Sequence, residues 1–389
     1  MSRFARRITQ TSEKSYGMFQ KAAAKAATGA DLIHLELGRP CHDTPDHIKQ
    51  ATIKALLDGK VHYSDLQGEL TLRNALQKKL AEYNNIDVTA GEILVTNGLT
   101  QASYAAFMAL LDEGDEAILL EPFYPQHVNK IEMTGAKVVL APLDAAAGFR
   151  INADLIEAKI TKRTRMIVLV NPCNPTGRVY SREELQALAD LAIKHDLIIV
   201  SDEVYEQILF EGAEHISIAS LPGMKERTIT MFAFTKAYAM DGWRLGYLSA
   251  DASLMPGLMK ITMNEVTHVN TFIQDGALAA VTGPASVLQD MVDDDQKKRN
   301  LVVQRLNQMP GVTCAMPEGT IYAFPDISAT GMTSQQAADA LLEKANVVVE
   351  SGGFYGALGD KHVRVCFGSQ SYERIEEAMD RMAGFFNSL

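Results

Sequence analysis

Seven short apolar runs, separated by stretches with helical periodicity, are the feature of the sequence that most restricts its fold. Each run is nearly continuous in hydrophobic and β-branched residues, which is typical of strands covered on both faces of a sheet. Strands that alternate with helices favour a largely parallel sheet with helices on either side. The sequence therefore predicts an α/β block over about residues 45–280. The predicted strands are 93–96, 117–120, 137–140, 166–170, 197–201, 228–232 and 245–249.

The length of the chain predicts two domains. It has 389 residues, whereas a single core rarely grows beyond about 250–300 residues. After Gly283-Pro284 a long helical pattern leads to Met309-Pro310, and the remainder indicates an α+β lobe. Within this lobe we expect strands at 313–315, 322–325, 347–350 and 363–367, and helices at about 333–345 and 371–386. The expected division is an N-terminal arm with part of the small domain (1–44), a large domain (45–283) and a small C-terminal domain (284–389). The first 20 residues lack a core pattern, which favours an arm lying on a partner subunit.

Charge and cysteine usage exclude several classes of function. With 37 basic and 48 acidic residues the net charge is -11, which disfavours nucleic acid and anionic membranes as partners. No run approaches the about 18 apolar residues that would span a membrane, and Arg6-Arg7 precede no apolar export signal. The cysteines lack metal-binding spacing and are expected to be free thiols in a reducing cytoplasm, with no metal site. They are Cys41, Cys173, Cys314 and Cys366.

Polar residues follow three neighbouring predicted strands where each strand ends. Asn171-Pro-Cys-Asn-Pro-Thr-Gly177 follows the fourth, Asp202 and Tyr205 follow the fifth, and Lys236 follows the sixth. Open α/β sheets bind ligands at this edge. The sequence therefore predicts a ligand site that contains an amide, a carboxylate, a phenol and an amine.

Lys236 is the candidate nucleophile of this site. A desolvated lysine beside other cations has a lowered pKa and can attack a carbonyl. Arg244 follows it by eight residues, and a guanidinium fork near an amine suits a phosphate dianion. The structural alternatives are a solvated surface lysine and, for Arg244, an ion pair with Asp241.

Asp202 ends an apolar strand, where a buried carboxylate needs a facing cation. A protonated pyridine nitrogen would serve, and would keep the ring an electron sink. The alternative for Asp202 is an N-cap of a following helix. Tyr205 and Asn174 can both donate to a phenolate oxygen on the same ring, and each is alternatively a turn or packing residue.

Three further positions complete the candidate set. Asn97-Gly98-Leu99-Thr100 opens a helix after a strand, and main-chain N–H groups there bind anions. Tyr124 follows another strand and can lie against a planar cofactor, or simply pack. Arg364 in the predicted strand 363–367 suits a substrate carboxylate, with a rim salt bridge as the alternative.

Taken together, these residues resemble those of fold-type I pyridoxal-phosphate enzymes, specifically the class I/II aminotransferase family. The resemblance covers about residues 30–385 and is most specific in the NPxNPTG run followed by DxxY and by a lysine and arginine eight residues apart. It implies a large pyridoxal-phosphate-binding domain with a mostly parallel seven-stranded sheet and a smaller α+β domain. The matching stretches are Leu37-Gly38, 63–73, 98–100, 171–177, 202–205, 236–247, 317–322, 352–356 and Arg364.

The resemblance implies a role for each candidate around the cofactor ring. Lys236 would bond covalently to pyridoxal 5′-phosphate and then move the proton at the substrate's α-carbon. Asp202 would pair with the pyridine nitrogen, while Tyr205 and Asn174 would bind the 3-hydroxyl. Tyr124 would stack on the ring.

It also implies the phosphate and substrate contacts. Gly98, Leu99, Thr100 and Arg244 would hold the phosphate, and Tyr63 would reach the phosphate of a partner subunit, which implies a homodimer with shared active sites. The substrate carboxylate would bind Arg364, helped by Asn174 and the main chain near Gly38.

Departures from the family pattern concern the substrate more than the chemistry. Ala233 stands where many relatives have Ser or Thr, so one phosphate contact is missing or replaced. Thr100 stands where one bacterial aspartate-aminotransferase subgroup has a lysine that binds the substrate side chain. The family's Pro-Gly-Ser-x-Phe-Gly and Gly-Ala-Phe-Tyr read Ser351-Gly-Gly-Phe-Tyr-Gly and Gly319-Thr-Ile-Tyr here. A cationic or polar donor is conceivable from Glu265, His268 and Asn270, which lie in a stretch that often enters the neighbouring site.

The leading hypothesis is a cytoplasmic transaminase that moves an amino group from an L-amino acid to 2-oxoglutarate or pyruvate in two half-reactions. The alternative is a β- or γ-lyase or an oxidase with the same cofactor and fold. A cofactor-sensing regulator is disfavoured because no basic DNA-binding domain precedes the block. The donor and the acceptor cannot be read from the motifs.

Overall fold

A computed structural model describes residues 3–12 and 17–389 of the chain. Residues 1–2 and 13–16, which belong to the predicted N-terminal arm, lie outside the described part. The strands are β1 (Ile33–His34), β2 (Ile93–Thr96), β3 (Glu116–Glu121), β4 (Lys137–Pro142), β5 (Thr164–Val170), β6 (Ile198–Asp202), β7 (Thr228–Ala233), β8 (Gly246–Ser249), β9 (Tyr322–Ala323), β10 (Val347–Val348), β11 (Glu350–Ser351) and β12 (Val363–Cys366).

Helices surround and connect these strands. The helix over 182–194 begins with a capping box, because Ser181 N donates to Glu184 Oε2 at 3.0 Å and Glu184 N donates to Ser181 Oγ at 3.3 Å. The helices are α1 (Arg6–Thr9), α2 (Phe19–Ala26), α3 (Asp46–Leu57), α4 (Leu70–Asn84), α5 (Gly98–Leu110), α6 (Gln126–Glu132), α7 (Ala153–Glu157), α8 (Arg182–Lys194), α9 (Met255–Glu265), α10 (Thr271–Thr282), α11 (Ala285–Leu306), α12 (Ser334–Ala340) and α13 (Tyr372–Phe386). None of the described helices is long and apolar enough to cross a membrane.

The seven predicted strands of the α/β block form one sheet. Its order is β2-β8-β7-β6-β5-β3-β4. Strands β4, β3, β5, β6 and β7 run parallel, whereas β8 is antiparallel to both β7 and β2. The predicted mostly parallel seven-stranded sheet is confirmed.

Both faces of this sheet are buried, which explains the near-continuous hydrophobicity of its strands. Ile118 and Ile167 pack into one core, on the side of α8. Their neighbours Leu119 and Val168 point to the opposite face and pack into another core with α5 and α9. Successive side chains on a strand alternate between faces, so both sets must be apolar.

The C-terminal lobe contains a second sheet and includes an N-terminal segment. Strands β11, β12 and β9 form an antiparallel sheet. Strand β1 pairs in parallel with β10, and Met18 and Ile33 share a buried core with Met379. The early chain therefore packs against its own C-terminal end, while the division at 44/45 and 283/284 stays a prediction.

Two expectations for the lobe were wrong in detail. The predicted strand at 313–315 is an isolated bridge between Thr313 and Asp326. The predicted strand at 347–350 is two strands with different partners, because β10 pairs with β1 whereas β11 pairs with β12. The break between them turns Glu350 toward the partner strand that carries Arg364.

Candidate active site

A cavity of about 770 Å³ lies at the carboxyl ends of β5, β6 and β7, between the large sheet and the C-terminal lobe. Parallel strands place the residues that follow them at one edge of the sheet. The chain thereby brings most of the predicted site residues together. Those lining the cavity are Gly38, Leu99, Thr100, Tyr124, Asn174, Asp202, Tyr205, Lys236, Arg244 and Arg364.

Lys236 presents its amine to this cavity. It follows the end of β7, and its Nζ donates to the main-chain oxygen of Gly38. Burial of the amine, and secondarily the nearby charge of Arg364, lower its pKa to about 8. A lysine with such a pKa is partly neutral near physiological pH and is therefore a competent nucleophile.

Asp202 ends β6 and is 5% exposed. Its Oδ1 accepts from Val204 N at 3.2 Å. The N-cap alternative is wrong, because in the described chain a turn follows at 204–207 and the next helical segment begins only at Ile218. The carboxylate thus belongs to the cavity wall and not to a helix start.

His127 lies beside this carboxylate and was not anticipated from the sequence. Its Nε2 is 3.6 Å from Asp202 Oδ2, and its ring packs edge-on against Phe107 and Tyr124. Burial lowers the pKa of His127, which favours the neutral imidazole, and the ring contacts the Asp202 carboxylate without a hydrogen bond among the described residues. The available signal was its place in the first turn of α6, directly after the segment that carries Tyr124.

Tyr205 and Tyr322 share a buried hydrogen bond. Their hydroxyl oxygens are 2.7 Å apart, and either one can donate. Burial raises the pKa of Tyr205 well above its ordinary value, so its phenol stays protonated and remains able to donate. The ring of Tyr322 also lies 4.2 Å from the guanidinium carbon of Arg364.

Arg364 is buried at the opposite wall of the cavity, 6% exposed. Its Nη1 donates to Asn174 Oδ1 at 3.1 Å, and its Nη2 donates to the main-chain oxygen of Glu36. Its Nε is buried without a hydrogen-bond partner among the described residues. The alternative of a rim salt bridge does not describe this position, because the guanidinium is buried and faces the cavity.

Arg244 and the start of α5 form a corner suited to an anion. Gly98 opens the helix with φ 74°, and a Cβ at this position would lie 3.0 Å from Arg244 Nη2. The contact of Arg244 with Asp241 is a 2.7 Å hydrogen bond from Nη1 to the main-chain oxygen, so the guanidinium keeps its charge available. Free N–H groups and the helix dipole add to that charge.

Gly38 allows close approach of Tyr322 to the main chain. A Cβ on Gly38 would lie 2.0 Å from the Tyr322 hydroxyl oxygen. A side chain at this position would therefore displace either the hydroxyl or the loop that accepts from Lys236. The glycine is required by contact and not by backbone conformation.

Comparison with known proteins gives the family of this chain. Residues 30–382 match the family described as aminotransferase class I and II. The chain is a class I/II aminotransferase. It is 39% identical over 360 residues to an aspartate aminotransferase of Pyrococcus abyssi, which covers 92% of each chain. It is 36% identical over 382 residues to an arginine–pyruvate transaminase of Pseudomonas aeruginosa, which covers 98% of this chain and 97% of the relative.

Solved structures agree with this assignment. An aromatic aminotransferase from Pyrococcus horikoshii superposes with a TM-score of 0.90 at 37% identity, over 94% of this chain and 99% of the other. The aspartate aminotransferase from Thermus thermophilus with maleate superposes with a TM-score of 0.92 at 34% identity, over 99% of this chain and 100% of the other. The predicted fold-type I architecture and transaminase activity are confirmed: the enzyme uses pyridoxal 5′-phosphate and transfers amino groups between amino acids and oxo acids.

The cavity of the aminotransferase fits this cofactor chemically. The corner at Gly98 and Arg244 suits a phosphate, the buried carboxylate of Asp202 suits a protonated ring nitrogen, and the amine of Lys236 suits an aldehyde. The contact at Gly98 supports the phosphate corner most directly, because a side chain at this position would crowd the guanidinium of Arg244. All three groups face one cavity.

Five predicted residues do not belong to the described lining of the cavity, namely Tyr63, Glu265, His268, Asn270 and Gly98, of which Gly98 adjoins Arg244. Tyr63 is 88% exposed, and its ring meets His268 edge-on with 5.4 Å between centroids. Glu265 ends α9, and Asn270 directly precedes α10. Their roles stay predictions.

Two carboxylates in the wall of the aminotransferase cavity were missed. Glu36 and Glu350 both line it, and they are 3% and 4% exposed. The available signal was a charged residue directly after the apolar run of β10. Its significance depends on strand pairing, because only the register of β11 with β12 places Glu350 opposite Arg364.

Two clusters of possible metal-binding groups in the described chain already contain a cation. Cys41, His42 and Asp294 lie around Lys298, whose Nζ is 2.5 Å from Asp294 Oδ2 and 3.0 Å from Cys41 Sγ. The second cluster, Glu203, Glu206 and His215, lies beside Lys79, which pairs with Glu206. A lysine balances the acidic charge in each.

Proposed function

We propose that Lys236 is the catalytic base and covalent anchor of this aminotransferase. The observation that supports the assignment most directly is its amine, which faces the same cavity as Asp202 and Arg364 and has a pKa lowered to about 8. An amine poised near neutrality can be deprotonated for attack and can then carry a proton at the α-carbon. Its hydrogen bond to Gly38 O fixes the direction of Nζ.

The other end of the cofactor site is assigned to the phosphate. Arg244 and the N–H groups of Gly98, Leu99 and Thr100 would hold it through charge and helix-terminal donors. Ala233 removes the hydroxyl that many relatives carry. We infer that the hydroxyl of Thr235, which also lines the cavity, replaces that contact.

The ring would be held by residues at or after the ends of β3, β5 and β6. Asp202, which His127 contacts, would pair with the ring nitrogen, while Tyr205 and Asn174 would bind the 3-hydroxyl and Tyr124 would cover the face. When bound, pyridoxal 5′-phosphate supplies an electron sink for the charge that develops at the α-carbon. The buried Asp202 keeps the ring nitrogen protonated, which that chemistry requires.

Arg364 is assigned to the α-carboxylate of both amino acid and oxo acid. Its guanidinium has an unpartnered Nε and neighbours that hold it in place, Asn174 and the carbonyl of Glu36. A buried fork of this kind binds a carboxylate in two places. The main chain near Gly38 would complete the substrate contact.

The substrates are assigned as an L-amino acid donor and a 2-oxo acid acceptor, 2-oxoglutarate or pyruvate, that bind in turn. Relatives are named for aspartate, aromatic amino acids, arginine with pyruvate, and alanine. These names span acidic, neutral and basic donors, so relatives alone do not select the donor of this enzyme.

We further propose a cytoplasmic homodimer in which Tyr63 contacts the partner's phosphate site. Tyr63 lies near an exposed apolar stretch, which on a lone subunit is unusual and favours a protein interface. The four cysteines are free thiols, in keeping with a reducing compartment. The exposed apolar residues of this stretch are Ile53, Leu56, Leu57, Val61, Tyr63 and Leu70.

Single-turnover analysis tests the proposal. The loaded enzyme is mixed with a pool of L-amino acids without oxo acid, and the expected products are one 2-oxo acid and one aminated cofactor per site. Release of ammonia, or of ammonia with a thiol, would instead establish the lyase alternative. Consumption of oxygen would establish the oxidase.

A further inference from the structure

The carboxylates of Glu36 and Glu350 are unusual features of this cavity. Glu350 accepts only main-chain hydrogen bonds in the described structure, from Met18 N at 3.1 Å and Ser351 N at 3.0 Å. Glu36 Oε1 lies 2.8 Å from His34 Nδ1, but its Oε2 is buried without a partner among the described residues. Burial raises the pKa of Glu350 to about 7. A buried carboxyl of this kind either takes up a proton or is ionised beside a cation, so an arriving cation favours its ionised form.

The position of Glu350 relates it directly to the substrate. It lies opposite Arg364 in the antiparallel pair β11–β12. Opposite residues project to the same face with Cβ atoms about 4.5–5.5 Å apart. A substrate whose α-carboxylate is bound by Arg364 therefore lies next to Glu350. Its carboxylate pairs with the Arg364 guanidinium, which is then no longer available to balance the charge of Glu350.

Three other charged groups that line the cavity have counterparts in the proposed complex, while Lys130 and Asp241 line it as well. Arg244 faces a phosphate, Asp202 a ring nitrogen, and Arg364 the α-carboxylate. Glu350 is then left without a cationic side chain of its own, and Glu36 has only the imidazole of His34, 2.8 Å from its Oε1. The missing positive charge can come from the donor's side chain.

We propose that the donor is an L-amino acid with a cationic side chain, an ammonium or a guanidinium, recognised by Glu350 with Glu36. This rests on the proposed role of Arg364 as the α-carboxylate site. Aromatic rings from Phe19, Phe354 and Tyr355 line the same cavity. They suit the methylene stem of such a side chain and can contact its charge through their faces.

The same carboxylates restrict the acceptor. The second carboxylate of a dicarboxylic oxo acid would meet Glu350 as a like charge, which is unfavourable in a desolvated site. A monocarboxylic oxo acid such as pyruvate brings no second charge. The preferred acceptor is therefore a 2-oxo acid with an uncharged side chain.

The experiment compares donors in the wild-type enzyme and in Glu350→Gln, Glu36→Gln and Glu132→Gln. Glutamine at 350 keeps one acceptor oxygen, for Met18 N or Ser351 N, and removes the charge together with the second acceptor. Glu132 provides a matched control, because it holds the N-terminal segment through Ser12 N at 2.7 Å and Ser12 Oγ at 3.0 Å. Effects transmitted by that segment should appear in Glu132→Gln as well.

Half-reaction kcat/KM is measured for L-arginine, L-lysine and L-ornithine against L-alanine and L-phenylalanine. The wild-type enzyme should prefer the cationic donors, and Glu350→Gln should lower their kcat/KM by about 10- to 150-fold, as expected for losing a charge-assisted hydrogen bond, with neutral donors unchanged. Calorimetric dissociation constants of the 2-methyl analogues, which lack the α-proton, should shift in parallel. Glu36→Gln should show the same selectivity, and Glu132→Gln should not.

Three outcomes overturn the proposal. The first is a wild-type enzyme that prefers neutral donors, and the second is an equal loss of kcat/KM for all donors in Glu350→Gln. Both results would leave the transaminase function intact. The third is equal binding of cationic and neutral 2-methyl analogues by the wild-type enzyme, a result that overturns the proposal even if a variant fails to fold. If no amino acid yields a 2-oxo acid, the proposed function fails as well, and the two failures remain distinguishable.

Discussion

Replacement of Arg364 by lysine tests how the substrate carboxylate is held. The substitution keeps the positive charge but removes the planar fork, together with the donor pair to Asn174 Oδ1 and Glu36 O. A lysine ammonium can contact one carboxylate oxygen well but cannot reproduce two parallel hydrogen bonds. Losing one hydrogen bond to a charged group costs about 1.5–3 kcal/mol, so we expect 2-oxo acids and amino acids to bind about 10- to 150-fold more weakly.

The assay is the dissociation constant of pyruvate and of the donor, with cofactor occupancy measured separately. Arg73→Lys is the matched control, because Arg73 is also buried and bonds Gly68 O, Ala90 O and Asp65 but does not line the cavity. Both variants should lose stability, whereas only Arg364→Lys should lose carboxylate affinity. Unchanged affinity for every oxo acid in Arg364→Lys would remove this residue from the substrate site.

Three further predictions address the cofactor site and its packing. Lys236→Ala should abolish turnover while retaining a cooperative unfolding transition, because it removes a buried amine without opening the sheet; measurable transamination by purified Lys236→Ala would contradict the assignment. In cofactor-free enzyme the rate of covalent cofactor attachment should rise with pH through a midpoint of about 8, since the folded pKa of Lys236 lies below its ordinary 10.5; a stopped-flow midpoint near 10.5 would be inconsistent with burial of the amine. Gly38→Ala should destabilise the protein by about 1–3 kcal/mol through overpacking, because its Cβ would lie 2.0 Å from the Tyr322 hydroxyl oxygen, and Tyr322→Phe should relieve part of that loss; strictly additive denaturant-unfolding energies would refute the contact.

The sheet and the cofactor end of the site are predictable from the sequence because both depend on local pattern. Strands buried on two faces are continuous in apolar residues, so β5, β6 and β7 can be recognised without tertiary information. Residues that follow such strands share an edge of the sheet, so the order of the strands alone predicts that Asp202 and Lys236 lie close together. Their roles do not follow from geometry alone but from the family that the whole set resembles.

The site residues that the sequence did not predict are recognisable only from strand pairing or from their neighbours in space. The apolar pattern predicts one strand that includes both β10 and Glu350. Only the pairing of β11 with β12 shows that Glu350 lies beside Arg364 in the cavity. For His127 the sequence offers only its place directly after the segment that carries Tyr124, because a buried imidazole differs from a packing residue only through its neighbour, Asp202. The prediction of a strand at 313–315 was wrong for the opposite reason. The composition there is typical of a strand, but only Thr313 forms a bridge, with Asp326.

The two ends of the cavity come from different parts of the chain, and this separates chemistry from selectivity. The proposed cofactor residues Asp202 and Lys236 follow strands of the large sheet, whereas Glu350 and Arg364 belong to the antiparallel sheet of the C-terminal lobe. Substitutions in the lobe can therefore change the donor without disturbing the ring or phosphate contacts. Relatives that share the cofactor residues but differ in donor are expected to differ at the positions of Glu36 and Glu350, because those carboxylates meet the substrate and have no counterpart in the cofactor.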